Sequence, residues 1–168
     1  ELKMIQLWVN LPAKDKMTAP GYQSIEAASI PTVALPDDSG SLRVIAGRYV
    51  GAEGPASTFS PRNVWDMQLR QDKEIVFTQP DGWSTALVVL EGSVTVNGES
   101  TVQEAQLVVL SHQGERVNLH ASSDAKVLVL AGEPINEPIV GYGPFVMNSQ
   151  TEIAEAVRDF NSGRFGQI

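Results

Sequence analysis

From Ser24 onward the chain is cut into short runs rich in Val, Ile, Leu and Thr, each closed by Gly, Pro, Asp or Asn. Their spacing of roughly ten residues is the rhythm of an antiparallel barrel or sandwich. The runs are Ser41 to Val50, Asn63 to Leu69, Glu74 to Thr78, Thr85 to Leu90, Ser93 to Val96, Gln106 to Leu110, Arg116 to His120 and Lys126 to Leu130. Glu91-Gly92 and Asn97-Gly98 supply turns, and Asn-Gly favours the hairpin geometry in which both central residues take positive φ. No longer period repeats, so a solenoid or propeller is excluded. Trp65, Met67, Phe77 and Trp83 are large enough to fill a small barrel if they point inward. The fold class that follows is all-β and antiparallel, with one exception at the end of the chain.

That exception is helical. Ser149 and Glu152 stand at capping-box spacing, Ile153, Val157 and Phe160 fall on one stripe, and Gly163 occupies a C′ position. The helix is therefore expected to dock through that stripe. If the Phe160 ring is fully buried there, Phe160→Ala should cost about 3 kcal/mol. At the other end, Ile5, Leu7, Val9 and Leu11 alternate with polar residues, while Met4 and Trp8 make the second face apolar as well. Leu2 to Leu11 thus reads as a strand that wants cover on both faces. Pro12, Pro20 and Gly21 then break regular pairing. The expected organisation is a remnant strand and linker over 1–23, a barrel over 24–148 and a helix with tail over 149–168. Because the chain opens on Glu1 and enters that strand directly, it reads as cut from a larger protein. The uncovered face of Leu2 to Leu11 makes a homodimer the expected state.

A formal charge of −8 and a pI near 4.7 argue against direct binding of nucleic acid or an anionic membrane. Arg116, Lys126, Arg158 and Arg164 are scattered rather than clustered. The chain has no cysteine, which removes disulfides, thiolate metal sites and thiol nucleophiles together. No run approaches the roughly 20 apolar residues of a membrane span. A cytoplasmic location is the expectation.

Several stretches carry a family resemblance. Leu90 to Glu99 and Ala105 to Ala121 resemble the core hairpin and second motif of a cupin barrel. Ala131 to Ser149, the capped helix and the ending FNSGRFG resemble the C-terminal domain of the pirin family, and Ile5 to Pro20 resembles the stretch that leads from the first pirin barrel to the second. The resemblance implies a cupin-type antiparallel β-barrel (double-stranded β-helix) with one short C-terminal α-helix. It also implies a missing N-terminal cupin that carries Fe(II) on three histidines and a glutamate. Quercetin 2,3-dioxygenase activity comes with that family, as does regulation through protein partners.

Cupin metal sites take two histidines and a carboxylate from a first motif and a third histidine from a second. Counting back from Gly92 puts the carboxylate at Thr85 and the histidine pair at Gln79 and Asp81, or at Thr78 and Pro80; counting on from Gly114 puts the third histidine at Val117. Not one of the usual cupin ligands is kept at its position. No metal-binding, cofactor-binding or catalytic residue is therefore expected in this chain. Only His112 and His120 remain as imidazoles. Ser111-His112 cannot aim its two side chains at each other along a strand. The loop Gly51 to Gly54 lacks the following helix that a phosphate loop needs. Glu133 and Glu137 read as parts of a Pro-stiffened extended segment. The candidate pocket is apolar, walled by Trp83, with Asn118 and His120 as polar handles.

Three functions fit this reading. The chain serves as a metal-free scaffold for a dioxygenase barrel, it is a regulatory module that binds a transcriptional or metabolic enzyme partner, or it is a stable structural remnant. The first should leave the isolated chain without activity.

Overall fold

The computed structural model describes residues 4–165. Glu1, then Leu2 and Lys3 of the expected first strand, and Gly166 to Ile168 of the expected tail lie outside the described residues. Packing divides the chain into residues 21–134 and a second unit formed by 1–20 with 135–168. The divisions thus fall near residues 20 and 134, against the 23 and 148 expected from sequence.

In the first unit the strands are β1 (Thr32–Ala34), β2 (Gly40–Ala46), β3 (Arg48–Tyr49), β4 (Ala52–Glu53), β5 (Arg62–Leu69), β6 (Glu74–Thr78), β7 (Ser84–Glu91), β8 (Ser93–Val96), β9 (Ser100–Gln103), β10 (Leu107–Val109), β11 (Arg116–Ala121) and β12 (Ala125–Gly132). They form a six-stranded sheet in the order β1-β2-β5-β12-β7-β10 and a four-stranded sheet in the order β6-β11-β8-β9, with β3 and β4 paired apart. Every pairing is antiparallel. Strand burial follows the period of two that one-sided packing demands: β6 and β7 alternate exposed with buried along their length. The inward residues of both sheets meet in one cluster that includes Leu42, Trp65, Met67, Phe77, Leu87, Leu119 and Val129. Each such side chain contributes about 1.5–3 kcal/mol by leaving water. Trp65, Met67 and Phe77 fill the barrel as expected, and Trp83 sits half-buried at its end.

Two glycines decide local geometry. The expected run Ser41 to Val50 is broken at Gly47, whose φ of 76° suits glycine and whose added Cβ would lie 2.1 Å from Asn63 Oδ1. Glu91-Gly92 is not a hairpin turn, because β7 and β8 belong to different sheets. Gly92 instead carries the chain round the barrel corner, where a Cβ would stand 2.1 Å from the carbonyl oxygen of Asp124. The Asn97-Gly98 turn forms as expected, with φ of 53° and 71° and a 3.0 Å bond from Glu99 N–H to Val96 O.

In the second unit, residues 4–12 form no strand; the expected two-faced strand is replaced by irregular chain that ends in a 3-10 turn at Ala13–Asp15. Pro12 at that boundary has no N–H to give a ladder, and no partner strand pairs with this segment among the described residues. The unit also holds a hairpin of β13 (Val140–Tyr142) and β14 (Phe145–Met147), then α1 (Gln150–Asn161). Ser149 Oγ accepts from the Glu152 N–H at 3.3 Å, and Glu152 Oε2 reaches back to the N–H of Asn148 at 3.0 Å, one residue earlier than the usual reciprocal bond. At the other end Gly163 N–H bonds Phe160 O and Arg164 N–H bonds Asp159 O, both at 3.0 Å, which makes a Schellman motif around Gly163 at φ 74°. Ile153 is buried, but Phe160 is 60% exposed. Its ring lies edge-on to Phe145 at 6.1 Å and tilted to Phe165 at 6.3 Å, so the condition for a 3 kcal/mol loss in Phe160→Ala is not met. Glu137 is structural: its Oε2 accepts from the N–H of Ala13 at 2.6 Å and from Asn148 Nδ2 at 3.1 Å.

Candidate functional site: the barrel mouth

The first unit is open at the end where β6 crosses to β7. Pro80-Asp81-Gly82-Trp83 forms a turn closed by a 3.2 Å bond from Trp83 N–H to Pro80 O, with Gly82 at φ 82° in its third position. The loop before β11 holds this turn in place. Gln79 N–H donates to Glu115 O and Gly82 N–H to His112 O, each at 2.8 Å, while Asp81 Oδ1 accepts from Gly114 N–H at 2.7 Å. A cavity of about 360 Å³ opens here, and Gln79, Thr85 and Val117 all line it. These are three of the positions where a cupin would place its ligands. Pro80, from the alternative pairing with Thr78, lines the same cavity, and Asp81 is held by its loop.

Gln79 is 4% exposed, and its network sets its orientation. Asn63 Oδ1 accepts from Arg48 N–H at 3.2 Å, so Asn63 Nδ2 is the group that donates to Gln79 Oε1 at 2.7 Å. Gln79 Nε2 is left as a buried donor with no partner.

A larger cavity of about 920 Å³ lies beside the first and shares Pro80 and Trp83 with it. Tyr49, Arg62, Asn63 and Trp65 line its wall. Burial raises the Tyr49 phenol above its ordinary pKa and lowers that of the Arg62 guanidinium, since in both cases the charged form loses water. Arg62 Nε and Nη2 donate to Ser60 O and Ser60 Oγ at 3.3 and 2.6 Å. Trp65 packs edge-on against Tyr49 and Phe77, at 5.1 and 5.8 Å, and its Nε1–H has no acceptor.

The three expected handles do not come together. Trp83 borders both cavities, whereas Asn118 and His120 line neither. Val117, Leu119 and Ala121 are the inward residues of β11, so the intervening Asn118 and His120 face outward; His120 is exposed opposite Glu74 and Thr95. Asn118 Nδ2 donates to Glu74 Oε1. The apolar residues at 117, 119 and 121 were the signal that sets this phase. His112 is exposed and lies 3.3 Å from Ser84 Oγ rather than beside Ser111. What the sequence reading missed is the Asn63–Gln79 amide pair and the unspent donors of Arg62 and Trp65, which only the barrel brings side by side.

The family description "Pirin C-terminal cupin domain" matches residues 64–166. The chain belongs to the pirin family. Pirin-like relatives extend the match: the chain is 52% identical over 98% of its length to PA2418 of Pseudomonas aeruginosa, whose name proposes quercetin 2,3-dioxygenase activity, and 36% identical over 96% of its length to Pirin-1 of Arabidopsis thaliana. It spans 57% and 58% of those proteins. A crystal structure of quercetin 2,3-dioxygenase from Acinetobacter baumannii is 51% identical, with a TM-score of 0.91 over 96% of this chain and 56% of that one. The fold is thus the cupin fold of the pirin C-terminal domain, a mostly β structure with one C-terminal helix.

Iron is the metal the resemblance implies, and the residues at this mouth do not fit it. An amide, a hydroxyl and an isopropyl group stand where imidazoles and a carboxylate would bind. Among the described residues no three His, Cys, Asp or Glu side chains gather into a metal-binding group. No helix among the described residues is long and apolar enough to cross a membrane.

Proposed function

We propose that this chain acts as the C-terminal, metal-free half of a two-cupin pirin and serves as scaffold for an N-terminal barrel that holds Fe(II) and carries out the dioxygenation of a quercetin-like flavonol. The observation that carries this reading is the cupin ligand cradle built from Gln79, Thr85 and Val117. It keeps the shape of a cupin mouth while lacking the donors to bind and activate a redox metal. The greater length of the relatives supports the second barrel, and a cytoplasmic location belongs to the same proposal. A regulatory, partner-binding role is the second reading, favoured by the exposed Trp8, Tyr142 and Phe165.

The test is quercetin consumption and oxygen uptake after reconstitution with ferrous iron, together with elemental analysis. The isolated chain should bind far less than one metal per molecule and show no turnover. Supplying an N-terminal pirin barrel with three histidines and a glutamate should give metal-dependent turnover. Stoichiometric iron and turnover by the chain alone would overturn the proposal.

A further inference from the structure

The larger cavity beside the cradle has donors left without a partner among the described residues. We propose that the cavity walled by Tyr49, Arg62, Asn63, Trp65 and Trp83 binds a small aromatic carboxylate. Its volume of about 920 Å³ falls within the size of ordinary small-molecule sites. Two arginines and one acid, Arg48, Arg62 and Glu53, are the charged residues on its lining. Glu53 is committed to Arg48 at 3.0 Å, which leaves Arg62 as the uncompensated charge.

Arg62 reaches only Ser60, through Nε and one terminal nitrogen. A guanidinium carries five N–H donors, so a face of the fork stays free for a carboxylate. Partial burial makes an unpaired cation costly there, and an anionic occupant would relieve that cost. The second observation is Trp65, 2% exposed with an indole N–H that has no acceptor. A buried donor left unsatisfied is unfavourable, so the Trp65 indole N–H calls for an acceptor. The unspent hydrogen-bonding groups of this mouth therefore call for acceptors, not donors. The rings of Tyr49 and Trp83 supply apolar faces for a planar body. Negative charge, acceptor oxygens and a flat apolar frame together define an aromatic carboxylate. This inference does not depend on the dioxygenase reading, because the site lies outside the metal cradle and involves no redox step.

The test uses the chain as it stands, labelled with ¹⁵N, and benzoate as the probe. The protein has three tryptophans, and Trp8→Phe and Trp83→Phe assign the Trp65 indole resonance by elimination. Benzoate should move that resonance saturably, and benzyl alcohol, of the same shape without the charge, should bind at least tenfold more weakly. Arg62→Gln should weaken benzoate binding at least tenfold, and Arg62→Lys should recover part of it. A Trp65 resonance that does not respond, equal affinity for benzyl alcohol, or unchanged affinity in Arg62→Gln would each overturn the proposal. Should Arg62→Gln lose its dispersed spectrum, the comparison of benzoate with benzyl alcohol on the unaltered chain decides.

Discussion

The two units of this chain treat their apolar residues in opposite ways. In residues 21–134 the large side chains of facing strands close on one another, and Leu42, Met67, Leu87 and Leu119 have no measurable contact with water. In the described part of the other unit, Ile153 is the buried hydrophobic residue, while Met4, Trp8, Met17, Ile139, Tyr142, Phe160 and Phe165 remain exposed. The difference lies in what each unit can bury against. Two sheets present whole faces to each other and form a core. A hairpin, an irregular segment and a twelve-residue helix present one stripe and little else to cover it. Local hydrogen bonds at the helix ends hold that second unit where apolar burial is thin.

The comparison can be broken most directly in the barrel. Leu119→Ala should lower stability by about 2–5 kcal/mol, because a close-packed core relaxes only partly around the lost side chain. Equilibrium urea denaturation followed by tryptophan fluorescence measures it, and a loss below about 1 kcal/mol would mean that the barrel core is looser than its burial implies.

A smaller effect should come from the helix cap. Ser149→Ala removes the acceptor for Glu152 N–H and should cost about 1 kcal/mol. Amide exchange localises it: protection should fall roughly fivefold in residues 150–161 with little change in β5, β7 and β12. An equal loss of protection in those strands would show that the units unfold as one.

The smallest effect on stability should come from Trp8, which is 72% exposed. Trp8→Ser should leave the barrel within about 0.5 kcal/mol of its original stability. It should nonetheless weaken self-association, which light scattering at micromolar concentration should detect in the unaltered chain as a dimer. A monomer in both proteins would refute the expectation that this segment pairs two copies.

Much of the barrel was legible from sequence because half-buried strands enforce a period of two. Glu74–Thr78 and Ser93–Val96 match their expected runs at both ends. The expectation failed where an apolar pattern had no partner to pair with: residues 4–12 alternate like a strand yet stay outside every sheet among the described residues. Short strands such as Thr32–Ala34 and Ser100–Gln103 were missed because three or four residues carry too little periodicity. In the candidate site, Gln79, Thr85 and Val117, reached by counting from Gly92 and Gly114, line one cavity that Trp83 also borders. His120 and Asn118 were misplaced because their phase was read from the polar residues rather than from Val117 and Leu119.

By itself, then, the sequence determined what depends on neighbours along the chain: the alternation of the strands, the Asn97-Gly98 turn, the Ser149 cap and the Gly163 terminus. The tertiary structure decided what depends on groups far apart in the chain. Only the folded barrel brings Asn63 to Gln79 across 16 positions, turns the free donor of that amide to Nε2, and seats Arg62 and Trp65 beside Trp83. Hydrogen-bond direction and desolvation are set by the whole surroundings of a side chain, and no local pattern encodes surroundings that the chain assembles only on folding.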